Sequence, residues 1–288
     1  MWRFPLAASH QRGNGATGAA LGKVRAGSAQ MIRVDINADS GELPPPDGLA
    51  SDIAMLEYVT SVNVACGGHA GSHDRMLLLA RECRKTGTAF GAHPSFEDRI
   101  GFGRIRPATI PADLRQQLRR QLALANAAAT AAGIRVSHVK PHGALYHEAE
   151  QNPSVRELFL EVIRETCPDT TVIGLGGGKL VESARSRTMT AYEEFFPDRA
   201  YVADGNLQAR NLPGAVITDP EEVLQRAIEA IRFGRVRTGS GSAVLVRAET
   251  LCLHGDHEGA VLTAQHLRRG LEKAEICVTA PPLTIGRR

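Results

Sequence analysis

From Met31 onward the chain repeats one unit: a short run rich in β-branched residues, a polar break with Gly or Pro, then a stretch of helical periodicity. That alternation leads to a parallel sheet, because each helix carries the chain back to the start of the next strand. The candidate strands are IRVDIN, SVNVAC, TAFGAH, RVSHVK, TVIGL, TMTAYEE, GAVIT and TLCLHG. Three helices are well marked. In residues 111–133, Leu114, Leu118, Leu122, Ala125 and Ala129 share a face, Pro111 suits a first turn and Gly133 the position after the last. Residues 219–234 open on Asp219 as N-cap, then Pro220, with Glu222 three residues on, and close at Gly234. A third helix, near 257–274, aligns Val261, Ala264, Leu267 and Leu271.

With 288 residues and 43% hydrophobic content, the chain can bury one large core, and residues 31–288 read as a single domain. Residues 1–30 hold no acidic residue and are rich in Gly, Ala and Ser; they read as a disordered extension whose deletion should leave stability and activity unchanged. A net charge of +3 without a basic stripe argues against a nucleic-acid partner. No apolar run reaches the roughly 20 residues of a membrane span. Cys66, Cys83, Cys167, Cys252 and Cys277 are odd in number and form no CxxC pair, which favours a reducing, cytoplasmic setting.

The strand ends carry the chemistry. The first ends in DINADSGE, where Asp35, Asn37 and Asp39 alternate onto one face and Val34 and Ile36 onto the other. The others end in NVACGGHAGSHD, GAHP, HVKPHGALY and CLHGDHEG. Five strands thus deliver Asp35, Asn37, His69, His93, Lys140, His142, His254 and Asp256 toward one rim, and the C-terminal rim of an α/β barrel is where catalytic groups converge. Lys140 and His142 share a parity and should face the mouth, with Tyr146 on the first helical turn behind them. His138, His147, His257 and His266 read as ordinary loop histidines satisfied by backbone. His73 reads as a helix-start residue. GLGGGK at 174–179 is no phosphate loop, because Leu180 follows the Lys where Ser or Thr belongs; it reads as a tight turn into a helix whose N-terminus is open to an anion.

The blocks VDINADSGE, VTSVNVACGGHAG, GAHPSFEDRIGFGR, HVKPHGALY, EEFFPDRAYVADGNL with LPGAVITDPEE, and VRAETLCLHGD resemble, in order, the signature blocks of the LamB/YcsF family of 5-oxoprolinase subunits. The resemblance runs from about Met31 to Leu271. It implies a seven-stranded β/α barrel of the glycoside hydrolase/deacetylase type and a cytoplasmic protein. It also implies a part, with two partner subunits, in ATP-dependent opening of 5-oxo-L-proline to L-glutamate. ATP, with Mg2+, is then a co-substrate, with no tightly bound cofactor and no protein-bound metal expected. On the matched blocks, Asp39, Glu42, Asn63, Gly103, Arg104, Tyr146 and Glu193 are the implied substrate-binding residues. Two loops depart from the family: CGGHAGSHD stands where members read CGFHAGDP, and LPPPDGLASD replaces a glycine-rich aromatic loop. Both should border the substrate.

The residue types suit that chemistry. Opening a lactam requires a polarised carbonyl, an activated water and a proton for the leaving nitrogen. Lys140 is a partner for carboxylate or phosphate charge; His142 or His69 is a candidate base, His254 or His93 a candidate acid, and Asp35 or Asp256 a candidate orienter of an imidazole. Two alternatives use the same rim: a metal-dependent amidohydrolase or deacetylase, which the rim lysine disfavours by repelling the cation, and a non-catalytic subunit that binds a small acid.

Overall fold

The computed structural model describes residues 31–44, 46–239, 241–254 and 259–281. Asp256, His257 and the segment 1–30 lie outside the described residues. The elements run β1 (Arg33–Ser40), α1 (Asp47–Met55), β2 (Ser61–Ala65), α2 (His73–Thr86), β3 (Ala89–His93), α3 (Leu114–Ala131), β4 (His138–Val139), α4 (Gly143–Gln151), α5 (Pro153–Thr166), β5 (Thr171–Leu175) and α6 (Lys179–Ser186). They continue with β6 (Ala191–Phe195), α7 (Pro220–Phe233), β7 (Arg235–Arg237), β8 (Ala243–Leu245), β9 (Thr250–Leu253), α8 (Ala260–Lys273) and β10 (Cys277–Val278).

Strands β1, β2, β3, β4, β5, β6 and β9 pair in parallel, and β9 returns to β1 through Asp35↔Thr250 and Asn37↔Cys252, closing a seven-stranded barrel. Strand β10 adds to the start of β1, and β7–β8 is a separate antiparallel hairpin. The helices start and stop for local reasons. Ser72 accepts from the Arg75 N–H to cap α2, and His73 opens that helix. Asn152 caps α5 ahead of Pro153. Asp219 caps α7, and Gly234 ends it at φ +61°, where a side chain would be strained. Val34, Ile36, Val62, Val64 and Phe90 pack outward against Leu118, Leu122, Leu267 and Leu271 in one fully buried layer. Parity therefore turns Asp35, Asn37 and Asp39 inward, as the sequence alternation requires.

Two expectations need correction. GAVIT forms no barrel strand; Val216 makes only an isolated antiparallel bridge to Arg199. Instead Ile217 packs its loop against the core and donates its N–H to the Asp198 carbonyl. Strand four is two residues long rather than six, although Ser137 and Lys140 extend its hydrogen bonding to Phe90 and Ala92.

Candidate active site

The barrel interior is polar in layers. At the bottom, Asp35 accepts from the hydroxyls of Thr60, Ser61 and Thr250 at 2.5–2.9 Å. Burial pushes its pKa up to about 6 against the pull of those three hydroxyls. Above it, Asn37 donates to Thr250 (2.7 Å) and Glu194 (3.1 Å) and accepts from Asn63 (2.7 Å). The Asn37-bound Asn63 side chain also pairs, through its carbonyl, with His138 Nε2 at 2.9 Å, and His138 Nδ1 pairs with Ser137 at 2.7 Å. His138 is therefore a wholly buried interior residue, not a loop histidine. Gly91 makes the space, since a Cβ there would lie 2.0 Å from the imidazole. Lys140 reaches Glu194 (2.8 Å), Asp39 (3.0 Å), Cys252 Sγ (3.0 Å) and Asn37 (3.2 Å). Burial would lower its pKa, but Asp39, Cys252 and Glu194 hold it well above the usual range.

At the rim, His93 Nδ1 lies 2.8 Å from the Lys140 carbonyl and His142 Nε2 lies 2.9 Å from the Phe102 carbonyl. Carbonyls only accept, so both of those nitrogens carry hydrogen. The opposite ring nitrogens, His93 Nε2 and His142 Nδ1, face each other at 3.0 Å. Asp39 Oδ2 stands 3.3 Å from His93 Nε2, and Glu42 Oε1 stands 3.2 Å from His142 Nδ1 and 3.0 Å from His69 Nε2. His69 stacks on His142 with ring centroids 3.7 Å apart. Burial lowers the His69 pKa to about 4, more than Glu42 raises it, so this ring is neutral. Burial alone would raise both carboxyl pKa values; His93 and Lys140 hold Asp39, and His142 and His69 hold Glu42, well below the ordinary carboxylate range.

Across Asp39 lies a second imidazole. His254 Nδ1 donates to Asp198 Oδ2 at 2.7 Å, and the same oxygen accepts the His254 backbone N–H at 3.1 Å. Burial would depress His254, but the Asp198 charge and hydrogen bond prevail and raise its pKa. A cavity of about 330 Å³ opens here, lined by Asp39, His93, Lys140, His142 and Tyr146 below, by Phe196 and His254 at the side, and by Arg104, Arg199 and Arg210 toward the outside. Its size falls at the small end of ligand pockets, about 300–1,000 Å³.

Asp39, Glu42, His69, His93, Lys140, His142 and His254 thus converge. Asn37 and Asn63 lie one layer below, holding Lys140 and Asp39. Tyr146 donates from α4 to Glu194 Oε2 at 3.0 Å. Gly103, at φ +63°, crosses directly over His69 and His142, where a Cβ would lie 2.8 Å from His69. Asp35 meets hydroxyls rather than an imidazole, because parity puts it two layers too deep. Glu193 points out of the barrel, accepting from Arg185 and Gly177. Its neighbour Glu194 is the interior residue, and adjacent identical residues left that parity unmarked in sequence. Asp198, the true orienter of His254, follows β6 in FFPDR and could have been found by the strand-end rule applied to the other strands. His73, four residues after His69, is exposed on α2. The α6 N-terminus after GLGGGK is already filled: Glu150 Oε2 accepts from the Lys179 and Leu180 N–H groups. Of the altered loops, Gly68 leaves room that Gln121 and Ser95 fill, since a Cβ at 68 would lie 2.5 Å from Ser95 Oγ and 2.6 Å from Gln121 Oε1.

The fold and this rim define a β/α-barrel protein with a buried histidine–carboxylate site at the C-terminal strand ends. The chain belongs to the LamB/YcsF family, whose model matches residues 34–285. It is 37% identical to the lactam utilization protein from Thermus thermophilus, covering 87% of this chain and 100% of that one, with a TM-score of 0.78. A family 4 carbohydrate esterase from Streptomyces lividans is 12% identical over 88% of this chain and 95% of its own, with a TM-score of 0.47. Among the described residues no helix is long and apolar enough to cross a membrane.

Proposed function

We propose that the chain is the lactam-opening subunit of an ATP-dependent 5-oxoprolinase, converting 5-oxo-L-proline to L-glutamate with ADP and phosphate formed, in the cytoplasm and together with two partner subunits. Family membership and the likeness to a lactam utilization protein support the substrate class. The observation that carries the reaction type is the pairing, in one cavity, of a proton-accepting cluster of Asp39, His93 and His142, with Glu42 behind it, and the His254 imidazole, whose pKa Asp198 raises.

In this reading the lactam oxygen takes the γ-phosphoryl group of ATP, brought with Mg2+ as co-substrate, and ADP leaves. Water then adds to the ring carbonyl carbon, giving its proton to the cluster. The carbon–nitrogen bond breaks as His254 supplies a proton to the nitrogen, and a second water hydrolyses the resulting acyl phosphate. The arginines at the mouth suit the substrate carboxylate and phosphate. Lys140 does not serve that purpose, because its charge is already shared by Asp39 and Glu194; it holds Asp39 in place instead. With Glu150 filling the α6 N-terminus, nucleotide handling falls to the partner subunits. The test is NMR of ¹³C-labelled 5-oxoproline with ATP and the purified subunits. Glutamate should form with all three proteins and scarcely at all with this chain alone. Robust turnover by the isolated chain overturns the division of labour, and no turnover by the full complex overturns the substrate.

A further inference from the structure

The rim cluster gathers four atoms of metal-ligating types around one point. His93 Nε2 and His142 Nδ1, each with its other ring nitrogen committed as a donor to a backbone carbonyl, face one another at 3.0 Å. Asp39 Oδ2 and Glu42 Oε1 close on the same point, at 3.3 Å from His93 and 3.2 Å from His142. All four atoms lie within 4.8 Å of one another. Each can offer a lone pair to a cation, so one ion at their centre would engage all four at once.

The distances agree with that occupant. Ligands about 2.0–2.1 Å from a tetrahedral ion stand roughly 3.3–3.4 Å from each other. The contacts measured here are 3.0, 3.2, 3.3 and, from His93 Nε2 to Glu42 Oε1, 3.8 Å. The ring nitrogens turned away from the point donate to carbonyls, which is the arrangement that fixes the tautomer and orientation of metal-bound imidazoles. The charge balance points the same way. Lys140 forms its ion pairs with the far oxygen of Asp39, Oδ1, and with Glu194. Lys140 therefore neutralises the lower part of the site and leaves Asp39 Oδ2 and Glu42 facing the histidines. His69 adds a further polar atom, its buried Nδ1, which has no hydrogen-bond partner.

We propose that Asp39, Glu42, His93 and His142 form a binding site for one divalent transition-metal ion, Zn2+ by preference, at the base of the cavity. Two imidazoles with two carboxylates favour such an ion over Mg2+ or Ca2+, which prefer all-oxygen shells. Asp39, His93 and His142 line the cavity, whereas Glu42 is not among its lining residues. An ion at this point is thus open to water from the cavity. The inference rests on the lactam reading only for the choice of site: an ion there would occupy the lone pairs of Asp39, Glu42, His93 and His142 and would activate the attacking water in place of their accepting its proton, and the argument for it uses atom positions and not the substrate.

The test is direct binding to the full chain, stripped with chelator and titrated with Co2+, read by visible absorption. The expected result is saturation at one equivalent, with the intense bands of four- or five-coordinate cobalt, displacement by Zn2+, and a melting temperature raised by Zn2+. His93→Asn, His142→Asn and Glu42→Gln should each weaken binding by about 100-fold or more, while the exposed His266→Asn should not. Far-UV circular dichroism of the stripped variants checks that each is folded. Should one fail to fold, Glu42→Gln and the wild-type stoichiometry decide. Saturation beyond one equivalent without those bands, no binding by the wild type at micromolar metal, or binding that survives all three substitutions overturns the proposal. None of these outcomes depends on turnover, so a failed lactamase assay leaves the metal question answered.

Discussion

The lower and upper layers of the barrel interior are built from the same residue types yet solve opposite problems. Below, no buried side-chain polar atom of Asp35, Asn37, Ser61, Asn63, His138 or Thr250 lacks a partner. Above, two carboxylates and two imidazoles crowd one point, and an imidazole nitrogen of His69 is orphaned. A polar network inside a barrel is tolerated when it is closed, because each desolvated donor recovers a hydrogen bond. Leaving a buried ring nitrogen unpaired costs stability, and the surroundings must hold it there. The lower layer is therefore scaffold and the upper layer site, a distinction carried by which atoms meet rather than by which residues are present.

The sharpest way to break that comparison is at His254, the proton donor of the proposed reaction. His254→Asn and Asp198→Asn should each lower kcat/KM by about 10²–10⁴-fold with partner subunits present, the usual scale for a lost acid–base group, without loss of fold. Since Asp198 raises the His254 pKa against burial, wild-type activity should fall as pH rises through that raised value. Asp198→Asn should move this alkaline limb to lower pH. Near-native turnover by either variant removes His254 from the reaction.

Lys140 marks the boundary between the layers. Lys140→Met leaves Asp39 and Glu194 buried without their cation, and stranding one side of a buried pair costs about 3–5 kcal/mol. A domain of this size should then melt roughly 10 °C lower. Restoring part of that loss in the double variant with Glu194→Gln would confirm that the stranded charge is the cause, read from urea unfolding. An unchanged midpoint in Lys140→Met alone would move Lys140 from scaffold to substrate binding.

The barrel, its inward face and most of the rim were legible because they follow from periodicity. Alternation placed Asp35, Asn37 and Asp39 together, and turn residues located the strand ends bearing His93, His142 and His254. Depth was not legible. Nothing in DIN distinguishes a bottom-layer aspartate from a rim aspartate, since depth depends on the stagger between neighbours, here Asp35↔Thr250 and Asp39↔Asn63. His138 was missed for a related reason: its side chain needs the space at Gly91, its partner on the neighbouring strand and far from it in sequence. Lys140 was read as reaching toward an anion because sequence cannot show that two carboxylates already hold it.

A smaller effect tests the lower layer by its own chemistry. The Asp35 pKa is raised from 3.8 to about 6 by burial. A raised carboxyl favours folding in its protonated form, fully so below about pH 4, and loses that contribution as pH rises through about 6. At neutral pH the buried carboxylate is a net cost. Asp35→Asn should therefore stabilise the protein by about 1–3 kcal/mol near pH 8 and gain little near pH 4. Thermal melts across that range check the sign; destabilisation at pH 8 would show that the three hydroxyl donors favour the charged form more than burial disfavours it.

The smallest expected change lies at the outer edge of the comparison, where the proposed reaction has the mouth arginines, rather than Lys140, meet the substrate's charge. Arg199 is held by the Ala215 and Gln208 carbonyls, so its guanidinium is positioned before any ligand arrives. Arg104 packs over Phe102, with its guanidinium carbon 4.8 Å from the ring centroid, directly above the histidine cluster. Arg210 lines the same opening. A contact made equally in the bound substrate and the transition state changes KM and leaves kcat alone. Arg210→Met, which retains an apolar stem, should raise KM for 5-oxoproline about tenfold, or roughly 1.4 kcal/mol, with kcat within a factor of about two. That factor should shrink as ionic strength rises, because the arginine lies where solvent screening operates. A KM unmoved by Arg210→Met and by Arg104→Met, together with a large KM increase in a folded Lys140→Met, would place anion recognition one layer deeper and merge the scaffold with the site.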